Sequence, residues 1–232
     1  MKRIPTIIAA ALVLLPAALA QSGFPFKDES LHYSINWQSG LSLGDANLAA
    51  HKTASGWNFT ASANVGIPGF AIDDHFRSNT DARFCTHDLQ RALSHAGKRT
   101  EEKIVFDQTM QTAERTTTFP EGGGKTTFDI PACARDALAF VYYARTELGQ
   151  GRMPASQQAF LGAAYSVKLD YTGAQNLTVD RKSVVTDHIL ATVKGPKSNF
   201  TVEIFFARDP ARTPLRIRIP LPMGTFSMEL VR

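Results

Sequence analysis

One segment of this 232-residue chain has the spacing of an α-helix, and it interrupts a long succession of strand-like segments. Within residues 133–145, apolar side chains recur every three or four positions and form one stripe: Ala134, Ala137, Leu138, Val141 and Tyr142. Pro131 lies just upstream, and Gly149 stands where a left-handed cap would end the helix. We therefore expect a helix over about residues 133–147. A single amphipathic helix needs a surface to pack on, and the sequence offers only a sheet.

The other segments alternate apolar and polar residues, as half-buried strands do. The alternation is clearest in residues 31–37, 165–171, 200–206 and 215–219. Short turns such as Ala96-Gly97 separate these segments, which favours antiparallel pairing because parallel pairs need long crossovers. The sequence thus predicts a mainly β protein, an antiparallel meander that curls into a barrel or half-barrel with one covering helix.

The first 20 residues have the features of a secretory signal peptide. Lys2 and Arg3 provide the positive start, an apolar run follows, and Ala18-Leu19-Ala20 fits the cleavage pattern. The alternative is an uncleaved membrane anchor, although the apolar run is short for a membrane span. We expect residues 21–232 to form a single β-rich domain that is soluble, exported and periplasmic or secreted.

Charge and composition argue against nucleic acid as a partner. Loss of Lys2 and Arg3 from the 25 basic residues leaves 23 against 21 acidic ones, a net charge of +2. No run of basic residues is interleaved with aromatic ones, as nucleic-acid-binding surfaces require. After the signal peptide, no stretch is apolar enough to predict a transmembrane segment.

The chain has two cysteines, Cys85 and Cys133. In an oxidising compartment, a lone pair most simply forms a disulfide, which would join the end of a strand to the start of the helix. A redox pair or a metal site is the alternative. However, the C-x-x-C motif is absent, and only His87 lies near either cysteine.

Ionisable residues cluster at Asp73-Asp74-His75-Phe76-Arg77. On a strand, Asp74 and Phe76 face opposite to the other three, so Asp74 could point inward and orient a ligand. The alternative is a solvated strand face. The adjacent Asp187 and His188 cannot form a dyad, because neighbours on a strand point to opposite faces. The histidines lack metal-ligand spacing and the G-x-S-x-G motif is absent, so we predict no metal, no cofactor and no catalytic residue.

The predicted curled sheet has an extended apolar face. Its aromatic members include Tyr165 and Tyr171 on one strand and Phe200 and Phe206 on another, and one helix cannot cover all of this face. We expect an apolar or envelope-derived ligand, such as a lipid, in the concave face, with these four residues and Asp74 as candidate contacts. The alternatives are a periplasmic scaffold or interaction protein with an envelope protein partner and no ligand cavity, and, third, a hydrolase.

Several short motifs occur in an order that resembles the bacterial exported family catalogued as domain of unknown function 3108. The motifs are Phe26–Tyr33 followed by Trp37, Gly44–Ala46, Phe106-Asp107, Asp136–Arg145, Asp209–Pro214 and Met223-Gly224. They span nearly the whole chain after the signal peptide, and Asp28 stands where the family usually has glycine. The resemblance implies a bacterial exported protein without an established activity. More distantly, the chain is similar to the half-barrel fold of lipoprotein carriers.

Overall fold

Fifteen strands and one helix make up the residues that the computed structural model describes, which are 28–67, 70–196, 198–221 and 224–231. The predicted signal peptide lies outside this range. The elements are β1 (Asp28–Trp37), β2 (Ser42–Lys52), β3 (Gly56–Ile67), β4 (Phe70–Asp81), β5 (Thr86–His95), β6 (Lys98–Asp107), β7 (Thr112–Phe119), β8 (Lys125–Asp129), β9 (Arg135–Asp136), α1 (Ala137–Gly149), β10 (Gln157–Phe160), β11 (Ala164–Val179), β12 (Lys182–Lys194), β13 (Asn199–Ala207), β14 (Pro214–Leu221) and β15 (Gly224–Leu230).

The strands form one sheet in the order β8-β7-β6-β5-β4-β3-β2-β1-β15-β14-β13-β12-β11-β10-β9. Sequence neighbours pair antiparallel almost throughout, and β1 joins the two halves of the chain by pairing with both β2 and β15. The short β9 pairs parallel with β10 because the helix and a loop lie between them. The predicted antiparallel meander is confirmed.

The helix shows that the sheet is curled. Tyr142 stacks on Phe59 of β3 at a centroid distance of 4.3 Å, while Phe140 packs in a cluster with Ile189 and Phe206 of β12 and β13. These strands are far apart in the sheet order, so one short helix can contact both only if the sheet wraps around it. The face that contacts the helix is called the concave face below, and the opposite face the outer face.

The two margins of the sheet pack together without strand pairing between β8 and β9, so the barrel is not closed. Phe160 of β10 packs against Phe106 of β6, with ring centroids 5.7 Å apart. In addition, Arg115 of β7 donates to the carbonyl of Gly162 at 2.9 Å. A backbone hydrogen bond from the N–H of Thr86 in β5 to the carbonyl oxygen of Ala134, just before β9, adds to these side-chain contacts at 2.9 Å.

The helix begins later than the apolar spacing predicts. Asp136 is its N-cap and is fully buried, with Oδ1 accepting from the backbone N–H groups of Leu138 and Ala139 at 2.8 and 3.1 Å. Its other oxygen, Oδ2, accepts from the hydroxyls of Ser78 and Thr86. The predicted disulfide between Cys85 and Cys133 is present and fixes the segment just before this cap.

The buried face of the helix also differs from the predicted stripe. Tyr142 is buried as expected, but Leu138 and Val141 are only half-buried, and the fully buried positions are Ala139, Phe140, Tyr142, Ala144 and Arg145. The helix lies inside a curved sheet and contacts it on more than one side. Gly149 is the last helical residue rather than a left-handed cap. A Cβ there would lie 2.8 Å from the carbonyl oxygen of Pro210.

Candidate ligand site on the concave face

All five residues predicted to contact a ligand lie on the concave face by strand alternation. Asp74 shares its face of β4 with Ser78, which bonds the helix cap. Tyr165 and Tyr171 alternate with outward residues on β11, and Phe200 and Phe206 do so on β13. Facing the same side does not make them one site, because the sheet is wide and strongly curved.

The structure brings two of the five together. Tyr171 and Phe206 line a cavity of about 260 Å³ between the sheet and the C-terminal end of the helix. Its other lining residues are Leu148, Gly151, Arg152, Met153, Asp187, Ile189 and Arg212. We call this space the helix-end cavity.

Strand register explains why the helix-end cavity forms here. Tyr171 pairs with Ile189, and Asp187 pairs with Phe206, so the inward side chains of β11, β12 and β13 stand side by side. Beyond Tyr171 a β-bulge displaces the register of β11. The helix ends above this patch at Gly149, which leaves the apolar patch without a helical cover.

The floor and the mouth of the helix-end cavity differ in exposure. Phe206 and Ile189 are buried at 4% and 1% exposure and form the floor. Met153 and Tyr171 are large apolar side chains that remain 41% and 50% exposed at the mouth. An apolar surface that is partly open to solvent is the chemistry that an apolar ligand requires.

Charged residues surround the mouth. Asp187 accepts from Arg208 Nε at 2.9 Å, from the hydroxyl of Tyr171 at 3.3 Å and from Arg212. The hydrogen bond from Arg208 to Asp187 raises the pKa of Arg208. Asp187 is therefore shared between two guanidinium groups.

A second ion pair lies at the helix end. Arg152 donates to both carboxylate oxygens of Glu147, from Nε at 2.8 Å and from Nη2 at 2.7 Å. This hydrogen bonding lowers the pKa of Glu147 and raises that of Arg152. Both groups stay charged at neutral pH.

Arg145 holds the turn that carries Arg212. Its Nε donates to the carbonyl oxygens of Ala211 and Arg212 at 3.0 and 3.2 Å, while its two terminal nitrogens bind Glu29 of β1. The side chain of Arg145 is only 1% exposed, although it lies near the C-terminal end of the helix. The partners of Arg145 are distant in the chain, so the local sequence predicts its place on the helix but not its burial or its contacts.

The other three predicted residues lie away from the helix-end cavity. Asp74 points inward, which is one of the two alternatives that the sequence left open for it. Its carboxylate oxygens lie 2.9 and 3.0 Å from His95 Nε2. Tyr165 lies against Gly195, where an added Cβ would come within 2.4 Å of its ring. Phe200 pairs with Val193 and is half-buried.

The outer face carries a separate polar groove of about 620 Å³ across β2 to β7. His75 and Arg77 line this groove, in agreement with the predicted outward direction of these two side chains.

Asp187 and His188 face opposite ways, as predicted, since the ring of His188 stacks on Phe205 of the outer face with the ring centroids 4.5 Å apart. Within the described ranges, no cluster of three or more His, Cys, Asp or Glu side chains could hold a metal ion.

Among the residues that the structure describes, no helix combines the length and the apolar character needed to cross a membrane.

Comparisons with known proteins bear on family and fold. No curated protein matches the chain. Among solved structures, the chain is similar to a β-barrel-like protein from Brucella abortus, of the domain of unknown function DUF1849, with a TM-score of 0.59 and 10% identity. The match covers 88% of this chain and 95% of that one. At this identity the likeness concerns the fold alone.

The family described as Protein of unknown function (DUF3108) matches residues 32–231. The match covers every strand after the first few residues of β1, together with the helix that ends at the cavity. The ordered motifs and this match agree, and the chain belongs to the DUF3108 family.

Proposed function

We propose that this protein is exported and binds an apolar ligand on the concave face of its sheet, in the helix-end cavity. The observation that carries the proposal is the cavity itself, about 260 Å³ in volume with an apolar floor. Two of the residues chosen from the sequence, Tyr171 and Phe206, line it. A cavity lined in this way favours apolar guests over water.

The volume indicates the size of the guest. Since a water molecule occupies about 30 Å³ in the liquid, the space suits roughly eight groups of that size, or a short alkyl chain. Burial of eight methylenes contributes on the order of 6 kcal/mol at about 0.8 kcal/mol each. Association itself costs about 4 kcal/mol or more, so the apolar part alone gives weak binding.

Export is supported by two independent features of the chain. Residues 1–20 have the composition of a secretory signal peptide. The disulfide between Cys85 and Cys133 suits an oxidising compartment, because cytosolic proteins rarely keep such bonds. A periplasmic or secreted protein that binds an apolar guest would shield it from water.

The experiment is displacement of an environment-sensitive hydrophobic dye by decanol, with wild type and two matched variants. Met153→Gln places a polar group of similar length at the mouth of the cavity. Met110→Gln makes the same change in the β6–β7 turn, where Met110 is 70% exposed and away from the cavity. We expect the first to weaken decanol binding at least fivefold and the second to leave it unchanged.

Absence of saturable, competable binding by folded wild-type protein would reject the ligand-binding proposal. The scaffold alternative would then be preferred, and the polar groove on the outer face would be the first surface to test for a protein partner. Equal effects of the two variants would reject the helix-end cavity as the binding site.

A further inference from the structure

We propose that the ligand is an anionic amphiphile whose carboxylate or phosphate head pairs with Arg212 at the mouth of the helix-end cavity. This inference rests on the proposed function, because the apolar part of the ligand occupies the same cavity. It adds the chemistry of the head group, which the apolar floor does not determine.

Arg212 has hydrogen-bonding capacity to spare. One terminal nitrogen of its guanidinium binds Asp187, and its Nε is buried without a hydrogen-bond partner among the described residues. A guanidinium carries five N–H donors in a fork that matches carboxylate and phosphate oxygens. The side chain lines the cavity and is 22% exposed, so a ligand oxygen can reach the N–H groups at the end of its guanidinium.

The charge around the mouth favours an anion. Asp187 already binds Arg208 as well as Arg212, and Glu147 is occupied by Arg152. Among the residues that line the cavity, Arg152 and Arg212 carry two positive charges and Asp187 carries one negative charge, so the lining has a net charge of +1. An ionic hydrogen bond beside an apolar floor is stronger than one in bulk water, because the local dielectric constant is lower.

The position of Arg212 is fixed before any ligand arrives. Its backbone N–H donates to the carbonyl oxygen of Asp209 at 3.1 Å, and the backbone N–H of Thr213 donates to Asp209 Oδ1 at 3.0 Å. Arg145 holds the carbonyl oxygen of Arg212 from the other side. A preorganised cation loses little freedom when it binds an anion, which favours selective recognition.

The test compares decanoate with decanol, two ligands with the same chain length and different heads, by isothermal titration calorimetry. Wild type, Arg212→Gln and Arg218→Gln are measured at low ionic strength. Arg218 lies on β14 and pairs with Glu203 away from the cavity, so its variant makes the same change in net charge. We expect wild type to bind decanoate at least fivefold more tightly than decanol. Arg212→Gln should abolish this preference, and Arg218→Gln should retain it.

The outcomes separate the two proposals. Binding of decanol and decanoate with equal affinity would reject the anionic head and leave the apolar site intact. Absence of binding by both would reject the proposed function and this inference with it. Loss of the preference in both variants would show a net-charge effect and would also reject the inference. If Arg212→Gln does not fold, Arg212→Lys keeps the charge without the fork and should reduce the preference for decanoate at least twofold.

Discussion

The guanidinium of Arg145 and the carboxylate of Glu29 form a two-point ion pair inside the protein. Nη1 lies 2.6 Å from Oε2 and Nη2 lies 2.7 Å from Oε1, and the side chains are only 1% and 11% exposed. The pair ties the helix to β1 across 116 positions of sequence. Burial also raises the pKa of the neighbouring Tyr33 and Tyr142 phenols.

Removal of one member of this pair should strongly destabilise the fold. Arg145→Met leaves the Glu29 carboxylate buried without its partner, and we expect a loss of about 3–5 kcal/mol in the free energy of unfolding. The matched control is Arg152→Met on the exposed pair with Glu147, where the loss should be about 0–1 kcal/mol. Urea titrations measure both, and similar losses for the two variants would contradict the expectation.

The disulfide should contribute substantially to stability. Cys85 and Cys133 are 48 positions apart, and a closed loop of that size stabilises by about 4 kcal/mol in the chain-entropy treatment. We expect Cys85→Ala combined with Cys133→Ala to lower the free energy of unfolding by about 2–4 kcal/mol. Thiol titration of unfolded, unreduced wild type should detect no free thiol. Two free thiols would exclude the bond in the purified protein.

The Asp136 carboxyl should make stability depend on pH. Burial raises its pKa in the folded state, against the hydrogen bonds from Ser78, Thr86 and two backbone N–H groups. In the unfolded state this carboxyl ionises at the ordinary Asp pKa of about 3.9, whereas in the folded state it stays protonated to a higher pH. The free energy of unfolding therefore falls as the pH rises from about 3.9 and stops falling once the pH has passed the raised pKa. The Asp136→Asn variant lacks this titration.

The stability of wild type relative to Asp136→Asn should therefore be highest at acid pH and fall as the pH rises. Urea unfolding of both proteins between about pH 4 and pH 7 measures the difference. A difference that stays constant or grows with pH would show that the hydrogen bonds outweigh burial.

The β7–β8 hairpin should be the first part of the native protein to be cleaved. β8 is an edge strand, and residues 121–127 are all exposed. Trypsin should cut at Lys125 before Lys103, since Lys103 of β6 is paired with β5 on one side and with β7 on the other. Mass spectrometry of early fragments identifies the site, and earlier cleavage at Lys103 would mean that a partner or the domain itself covers the hairpin.

Local periodicity in the sequence is sufficient to predict most of the strands, their antiparallel pairing and the inward direction of Phe206 and Tyr171. It does not predict the short β9, which lies within the predicted helix and pairs parallel with β10. Strand alternation has a period of two, so each segment carries this information by itself. The disulfide follows as directly, because two cysteines allow one pairing.

Tertiary structure alone decided which of these inward residues contact one another and which partners the buried charged side chains have. Tyr171 and Phe206 share a cavity because the helix ends above them, whereas Asp74 lies on the same face and binds His95 instead. Arg145 is buried because Glu29 and the carbonyls near Arg212 satisfy it. A buried charge depends on partners that are distant in sequence, and local spacing does not contain that information.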